Sequence, residues 1–132
     1  ALLAAVFAAL TAIFSKLGVR DVDSGLATAI RVGFILLLTW GMSLYAGTWR
    51  EVRQIGGHTW LFLFLSAVAT GLSWLCYFKA LQLGDVSKVA PLDKLSVPLA
   101  MLLGLLVLGE PCDPKTMAGG ILITAGALLL VL

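Results

Sequence analysis

The sequence predicts an all-α integral membrane protein, a bundle of five transmembrane helices. Of its 132 residues, 61% are hydrophobic and 12% charged, with a mean hydropathy of +1.06, whereas an ordinary soluble domain is about half apolar and a quarter charged. The excess consists of Leu, Ala, Val and Ile, with only 4 Pro, so it is not the composition of a disordered linker. The apolar residues fall into five windows, each close to the ~20 residues a helix needs to cross a hydrocarbon core ~30 Å thick. Window length and the lack of alternation exclude strands. Five such helices with short connections use the whole chain, 1–132, as one domain and leave no room for a soluble catalytic domain.

The first window is predicted to run from about Ala1 to Leu17 and to stop where Gly18-Val19-Arg20-Asp21-Val22-Asp23 brings in charge and glycine. Without a basic leader or a small-residue cleavage site, it reads as a helix and not as a signal peptide. The second starts at Ser24, taken as its N-cap, and continues to about Tyr45. The third extends from about His58 to Leu83, the fourth from about Ser87 to Leu108 and the fifth from about Pro114 to Leu132. Pro114 suits a first helical turn, where its missing N–H would be unpaired anyway. Trp40, Tyr45, Trp49 and Trp60 lie near the two ends of the second loop, at the headgroup level that amphipathic rings prefer. Small residues recur four apart in the first window (Ala1, Ala5, Ala9; Ala8, Ala12), and Gly119 and Gly126 stand seven apart in the fifth. Such stripes let membrane helices approach closely, either within one chain or between subunits.

The formal charge of +2 is too small to indicate a nucleic-acid partner. Cys76, Cys112 and the single His58 form neither a disulfide framework nor a metal-ligand spacing, so no metal or cofactor is expected. No phosphate loop follows a strand, no Cys or Ser has a histidine nearby in sequence, and the paired acids lie in loops. The chain does not read as an enzyme.

Five crossings place the chain ends on opposite sides of the membrane. One face then carries Lys16, Arg20 and Lys88, with Lys79 able to snorkel toward it, and the other Arg50, Arg53 and Lys115. So even a Lys/Arg balance permits insertion both ways up, although counting the deeper Arg31 and Lys94 tilts it toward a cytoplasmic first face. Two copies in opposite orientations would form an inverted repeat, the architecture of alternating-access transporters.

Ionisable side chains within the hydrocarbon cost roughly 2.5–3.5 kcal/mol each on insertion scales and are the default functional signal. Here they are Arg31, Lys79, Asp93 and Lys94. At ~1.5 Å per residue, Arg31 lies about 10 Å into the second window, Lys79 about 6 Å from the end of the third, and Asp93 and Lys94 about 9–10 Å into the fourth. All lie near the same face. An Arg31–Asp93 ion pair is the most economical way to bury them, and it has two readings. It can fix helix against helix, or it can mark a polar cavity where Asp93 exchanges a proton or cation while Arg31 or Lys94 attracts an anion. Lys79 lies opposite Trp74 on the helical wheel and is read as snorkelling. Thr70, Gly71, Ser73, Trp74, Tyr77 and Phe78 share one broad face that can line a site or pack. Pro98 cannot donate to the carbonyl of Lys94, so the fourth helix should kink beside its charges. On the Asp93 side of that helix, Ser96, Val97, Ala100 and Gly104 are small and leave room for a neighbouring helix or a ligand.

Ala80-Leu81-Gln82-Leu83-Gly84-Asp85-Val86-Ser87-Lys88-Val89-Ala90-Pro91, then Leu108-Gly109-Glu110, then Gly119-Gly120-Ile121-Leu122-Ile123-Thr124-Ala125-Gly126 resemble the EamA domain of the drug/metabolite transporter superfamily. In that domain an A-L-x-x-G turn enters a helix with an early proline, L-G-E ends it, and a glycine-rich last helix follows. The resemblance covers essentially the whole chain. Most members carry two such domains in inverted orientation and move small metabolites or drugs, commonly outward. For a single domain it therefore implies an antiparallel homodimer or a separately encoded partner. The last helix is also similar to that of the small multidrug resistance proteins, but their first-helix glutamate has no counterpart here. Cationic-drug antiport by that route is not expected, and the excess of Arg31, Lys94 and Lys79 over Asp93 favours a metabolite with a negative or zwitterionic group.

The chain thus reads as a bacterial inner-membrane permease for a small molecule. Arg31, Asp93 and Lys94 are candidates for its polar site and Trp74 and Tyr77 for the walls. The rival classes are a structural or regulatory membrane subunit and a channel.

Overall fold

The computed structural model describes residues 1–132, and they form helices without a strand. In chain order these are α1 (Leu2–Gly18), α2 (Ser24–Ala46), a 3-10 turn (Thr48–Gln54), α3 (Gly57–Leu83), α4 (Val86–Asp93), α5 (Ser96–Leu103), a π turn (Gly104–Leu108) and α6 (Pro114–Leu129). Three stretches are long and apolar enough to cross a membrane: α2 with 23 residues, α3 with 27, and Val86–Leu108 with 23. α1 and α6 are shorter apolar helices of 17 and 16 residues. Most large apolar side chains point outward. That surface would be prohibitive in water, where contiguous apolar patches stay within a few hundred Å².

The chain forms two compact units: Phe14–Gln82, and Ala1–Ile13 with Leu83–Leu132. In the first, the N-cap of α2 is Asp23, one residue before the predicted Ser24. Its carboxylate accepts from the N–H groups of Gly25 (2.9 Å) and Leu26 (3.0 Å), because Ser24 is already helical and a cap acts from just outside the first turn. Gly47, at φ +75°, ends α2 in the left-handed conformation, its N–H donating to Leu44 O at 3.2 Å. The 3-10 turn that follows, unanticipated from sequence, sits beside a Ser43–Thr48 hydroxyl contact of 2.9 Å.

Two side chains tie the C-terminal end of α3 to the α1–α2 connection. Lys16 Nζ donates to Leu81 O at 2.5 Å, and Gln82 Nε2 donates to Val19 O (2.9 Å) and Val22 O (2.6 Å). The last carbonyls of a helix have no partner within it, and Lys16 satisfies one of them. Val19, Phe78 and Leu81 are buried around this clasp. Gln82→Leu, which strands both loop carbonyls, is expected to lower stability by roughly 1–3 kcal/mol, read as a lower Tm in detergent; an unchanged Tm contradicts the clasp.

In the second unit the predicted kink is a short 3-10 step, in which Lys94 and Leu95 keep right-handed helical backbone. Lys94 and Leu95 separate α4 from α5, and i→i−3 bonds surround them: Lys94 N to Pro91 O, Leu95 N to Leu92 O and Val97 N to Lys94 O, each 3.0 Å. Pro98 supplies no N–H to Lys94 O, so the Val97 N–H takes it. Glu110 N donates to Gly104 O (3.2 Å) across Gly109, which adopts φ +66°. The Glu110 carboxylate packs on Gly104, where an added Cβ would lie 2.8 Å from Oε2. The space that the small residue leaves there is therefore filled by this chain's own Glu110. Gly109→Ala is expected to cost about 1–2 kcal/mol, since other residues disfavour left-handed backbone; thermal unfolding in detergent checks it.

α6 opens as expected with Pro114 in its first turn, capped by Asp113, which accepts from Thr116 N at 3.1 Å. Hydrogen bonds from Thr116 hold this exposed carboxyl below its ordinary pKa. The cap is therefore fully effective above the ordinary carboxylate range and is lost as pH falls through the lowered value. α6 meets α5 at Gly120, where a Cβ would lie 3.2 Å from Met101 Cε; Gly119 and Gly126 face open space. The glycine that permits close approach is thus Gly120, which lies outside the predicted stripe.

Candidate functional site

α2 and α3 line a half-open cavity of about 400 Å³ within the first unit. α2 contributes Thr28, Arg31, Val32 and Ile35, at the i, i+3, i+4, i+7 positions of one helical face. α3 contributes Leu63, Ser66, Ala67, Thr70, Gly71, Trp74 and Phe78 in the same periodicity. Of the hydroxyls, Thr28 Oγ1 donates to Ser24 O (2.7 Å) and Thr70 Oγ1 to Ser66 O (2.8 Å). Their protons are spent on the backbone, and what they offer the cavity is acceptor lone pairs.

Arg31 is the one charged residue of this lining. Its guanidinium lies over the Trp74 ring, Cζ 3.5 Å from the ring centroid, and 5.6 Å from that of Phe78. The aromatic bed is built from successive turns of α3, with Trp74 edge-on to Tyr77 (5.7 Å, 84°) and to Phe78 (5.4 Å, 68°). Arg31 Nη1 is buried and has no hydrogen-bond partner. Neither α2 nor α3 contains an acid. Stacking satisfies the face of a guanidinium, while its N–H groups lie in the plane and can be used only by an acceptor at the edge.

Asp93 and Lys94 stand at the 3-10 step between α4 and α5 in the other unit. The ion pair that Asp93 makes is with Lys94, 3.2 Å from Lys94 Nζ to Asp93 Oδ2. Adjacent opposite charges sum to zero, which lowers the cost of holding either in hydrocarbon. Within their own units, then, Arg31 has an indole face as partner and Asp93 an ammonium. Lys79 is exposed on α3, in keeping with a snorkelling side chain. A second cavity of about 500 Å³ lies between α5, the π turn and α6, lined by Pro98, Met101, Leu105, Gly120, Thr124 and Leu128 among others, with no charged group.

Of the sequence-predicted site residues, the first unit brings together Arg31, Trp74 and Tyr77, and the second Asp93 and Lys94. Thr28, Ser66 and Ala67 were not singled out. The signal was available: Ser66, Thr70 and Trp74 are spaced by four, as are Thr28 and Val32, which marks one face on each helix.

In comparisons with known proteins, residues 1–132 match the EamA-like transporter family. A Sinorhizobium sp protein described as an uncharacterized transporter in the cobO 3' region is 51% identical over 130 residues, spanning 98% of this chain and 92% of that one. A Pseudomonas aeruginosa protein described as a probable 4-amino-4-deoxy-L-arabinose-phosphoundecaprenol flippase subunit, ArnE, is 38% identical over 66 residues, half of this chain and 57% of its own. No solved structure matches.

Proposed function

The chain belongs to the EamA-like transporter family, and from that premise we propose that it moves a small molecule, a metabolite or a drug, outward across the bacterial inner membrane by alternating access. The single observation that carries this reading is the Arg31 guanidinium, placed over Trp74 in a cavity between two long apolar helices, with its Nη1 buried and without a hydrogen-bond partner. A charge placed there is costly and is retained where it handles substrate. Asp93 and Lys94, at the 3-10 step between α4 and α5, are the proposed coupling pair, since charged groups within a membrane helix are the default functional signal. Trp74 and Phe78 form the aromatic wall, and Tyr77, expected there from the sequence, stands behind it with its ring edge-on to Trp74.

The working unit is an antiparallel homodimer in which two five-span copies form an inverted repeat. α1 and α6 complete the five spans: at ~1.5 Å per residue each reaches about 25 Å, a deficit that local thinning of the bilayer absorbs at modest cost. The even loop charges support both orientations. The relative described as a flippase subunit supports pairing with a second chain as the other route to two halves.

The purified chain in liposomes is expected to show saturable solute efflux above empty vesicles, with trans-stimulated counterflow. Flux that does not saturate would instead indicate a channel, and flux equal to empty vesicles a structural subunit.

A further inference from the structure

We propose that the cavity between α2 and α3 is a receptor for an organic oxyanion with an uncharged, largely apolar body, its carboxylate or phosphate held by the Nη edge of Arg31. This names the substrate class of the transport site above and rests on that reading. Arg31 is the one charge of the lining, and neither helix that builds it carries an acid. Trp74 lies over the guanidinium at 3.5 Å, which leaves further bonding to its edge, where Nη1 is unpartnered but buried, so an acceptor takes it only as the side chains around it give way. A planar donor edge is the geometry that carboxylates and phosphates accept in pairs of parallel hydrogen bonds.

The remaining walls define the rest of the ligand. Thr28 and Thr70 have given their protons to Ser24 O and Ser66 O, so they can only accept, from a hydroxyl or amide of the ligand. Val32, Ile35, Leu63 and Phe78 cover the remainder with hydrocarbon, and about 400 Å³ is at the smaller end of small-molecule sites. An inorganic anion would leave these walls unused. A lipophilic cation would meet a like charge and no acid.

The test uses the full chain in detergent with Trp40, Trp49 and Trp60 replaced by Phe, so that Trp74 is the sole indole emitter. It is titrated with four probes sharing one body: 3-phenylpropionate, 3-phenylpropyl phosphate, 3-phenylpropionamide and 3-phenylpropylammonium. A saturable change in Trp74 emission is expected with at least one of the two anions, at least tenfold tighter than with the ammonium, and the tighter anion identifies the headgroup. Arg31→Gln should weaken anion binding at least tenfold and erase the preference for anion over amide. Ammonium binding as tight as the anions, no saturable response to either anion, or anion affinity unchanged in Arg31→Gln would each overturn the proposal. Should the variant not fold, the anion-to-ammonium preference of the parent protein decides alone. Flux of the same probes in proteoliposomes is read separately. Anion binding without flux of any probe would reject transport and keep the receptor, whereas ammonium flux indifferent to Arg31→Gln would reject the receptor and keep transport.

Discussion

Asp93→Asn is expected to abolish solute flux in proteoliposomes while leaving a folded helical protein, and neutralising Lys94 as well is expected not to restore it. The second half of this result carries the argument. Asp93 is paired with Lys94 at 3.2 Å, so the single variant leaves an ammonium uncompensated within the bilayer, at roughly 2.5–3.5 kcal/mol on insertion scales. A loss of flux could then follow from that stranded charge alone. Asp93→Asn combined with Lys94→Gln removes both charges and with them that cost, so flux still lost in the double variant reflects a role of the pair beyond mutual neutralisation. If the double variant transports like the parent protein, Asp93 serves only as the partner of Lys94 and has no coupling role.

Trp74→Ala is expected to raise KM for the transported solute by about tenfold to thirtyfold, with a smaller change in maximal rate, and Trp74→Phe is expected to recover most of the loss. The indole is the plate on which Arg31 lies, 3.5 Å from the guanidinium carbon to the ring centroid. A desolvated contact of this kind is worth about 2 kcal/mol, and without it the guanidinium is free to leave the plane that presents its edge. Phenylalanine restores a π face at the same position, with a weaker attraction. A raised KM with little change in rate is the signature of lost ground-state binding. Counterflow kinetics check this, and an unchanged KM in Trp74→Ala would remove the stack from the binding site.

The class of fold and the positions of the helices were legible because bilayer physics writes them directly into the sequence: each crossing needs a long apolar run, and Gly18-Val19-Arg20-Asp21-Val22-Asp23 or Gly109 interrupts one. The 3-10 step at Lys94–Leu95 was legible for a similarly local reason, since Pro98 removes one N–H wherever the helix sits. The aromatic face of α3 followed from periodicity, and Trp74, Tyr77 and Phe78 lie together as spaced. What sequence could not supply was the choice among partners. Lys16 enters the sequence reading as one of the charges on a membrane face and in the structure holds Leu81 O, while Gln82, a variable position of the A-L-x-x-G turn, bonds two carbonyls some sixty residues away. The cap of α2 went to Asp23 over Ser24 because the exact start of the helix selects between two adjacent capping residues. Gly120 could not be told from Gly119 without knowing where Met101 lies. Each of these depends on which surfaces meet, and a single chain read alone does not encode that in any local pattern.

The central claim is that two oppositely oriented copies of this chain constitute one transporter. It is tested most directly by membrane topology. Cys76 and Cys112, both exposed and unpaired, are replaced, and a single cysteine is placed either in the Arg20 loop or in the Arg53 loop. Intact cells are then labelled with a membrane-impermeant thiol reagent. Partial labelling at both positions is the expected result, because a chain inserted both ways up shows each loop to the outside in part of its population. Labelling at one position alone would contradict the antiparallel homodimer.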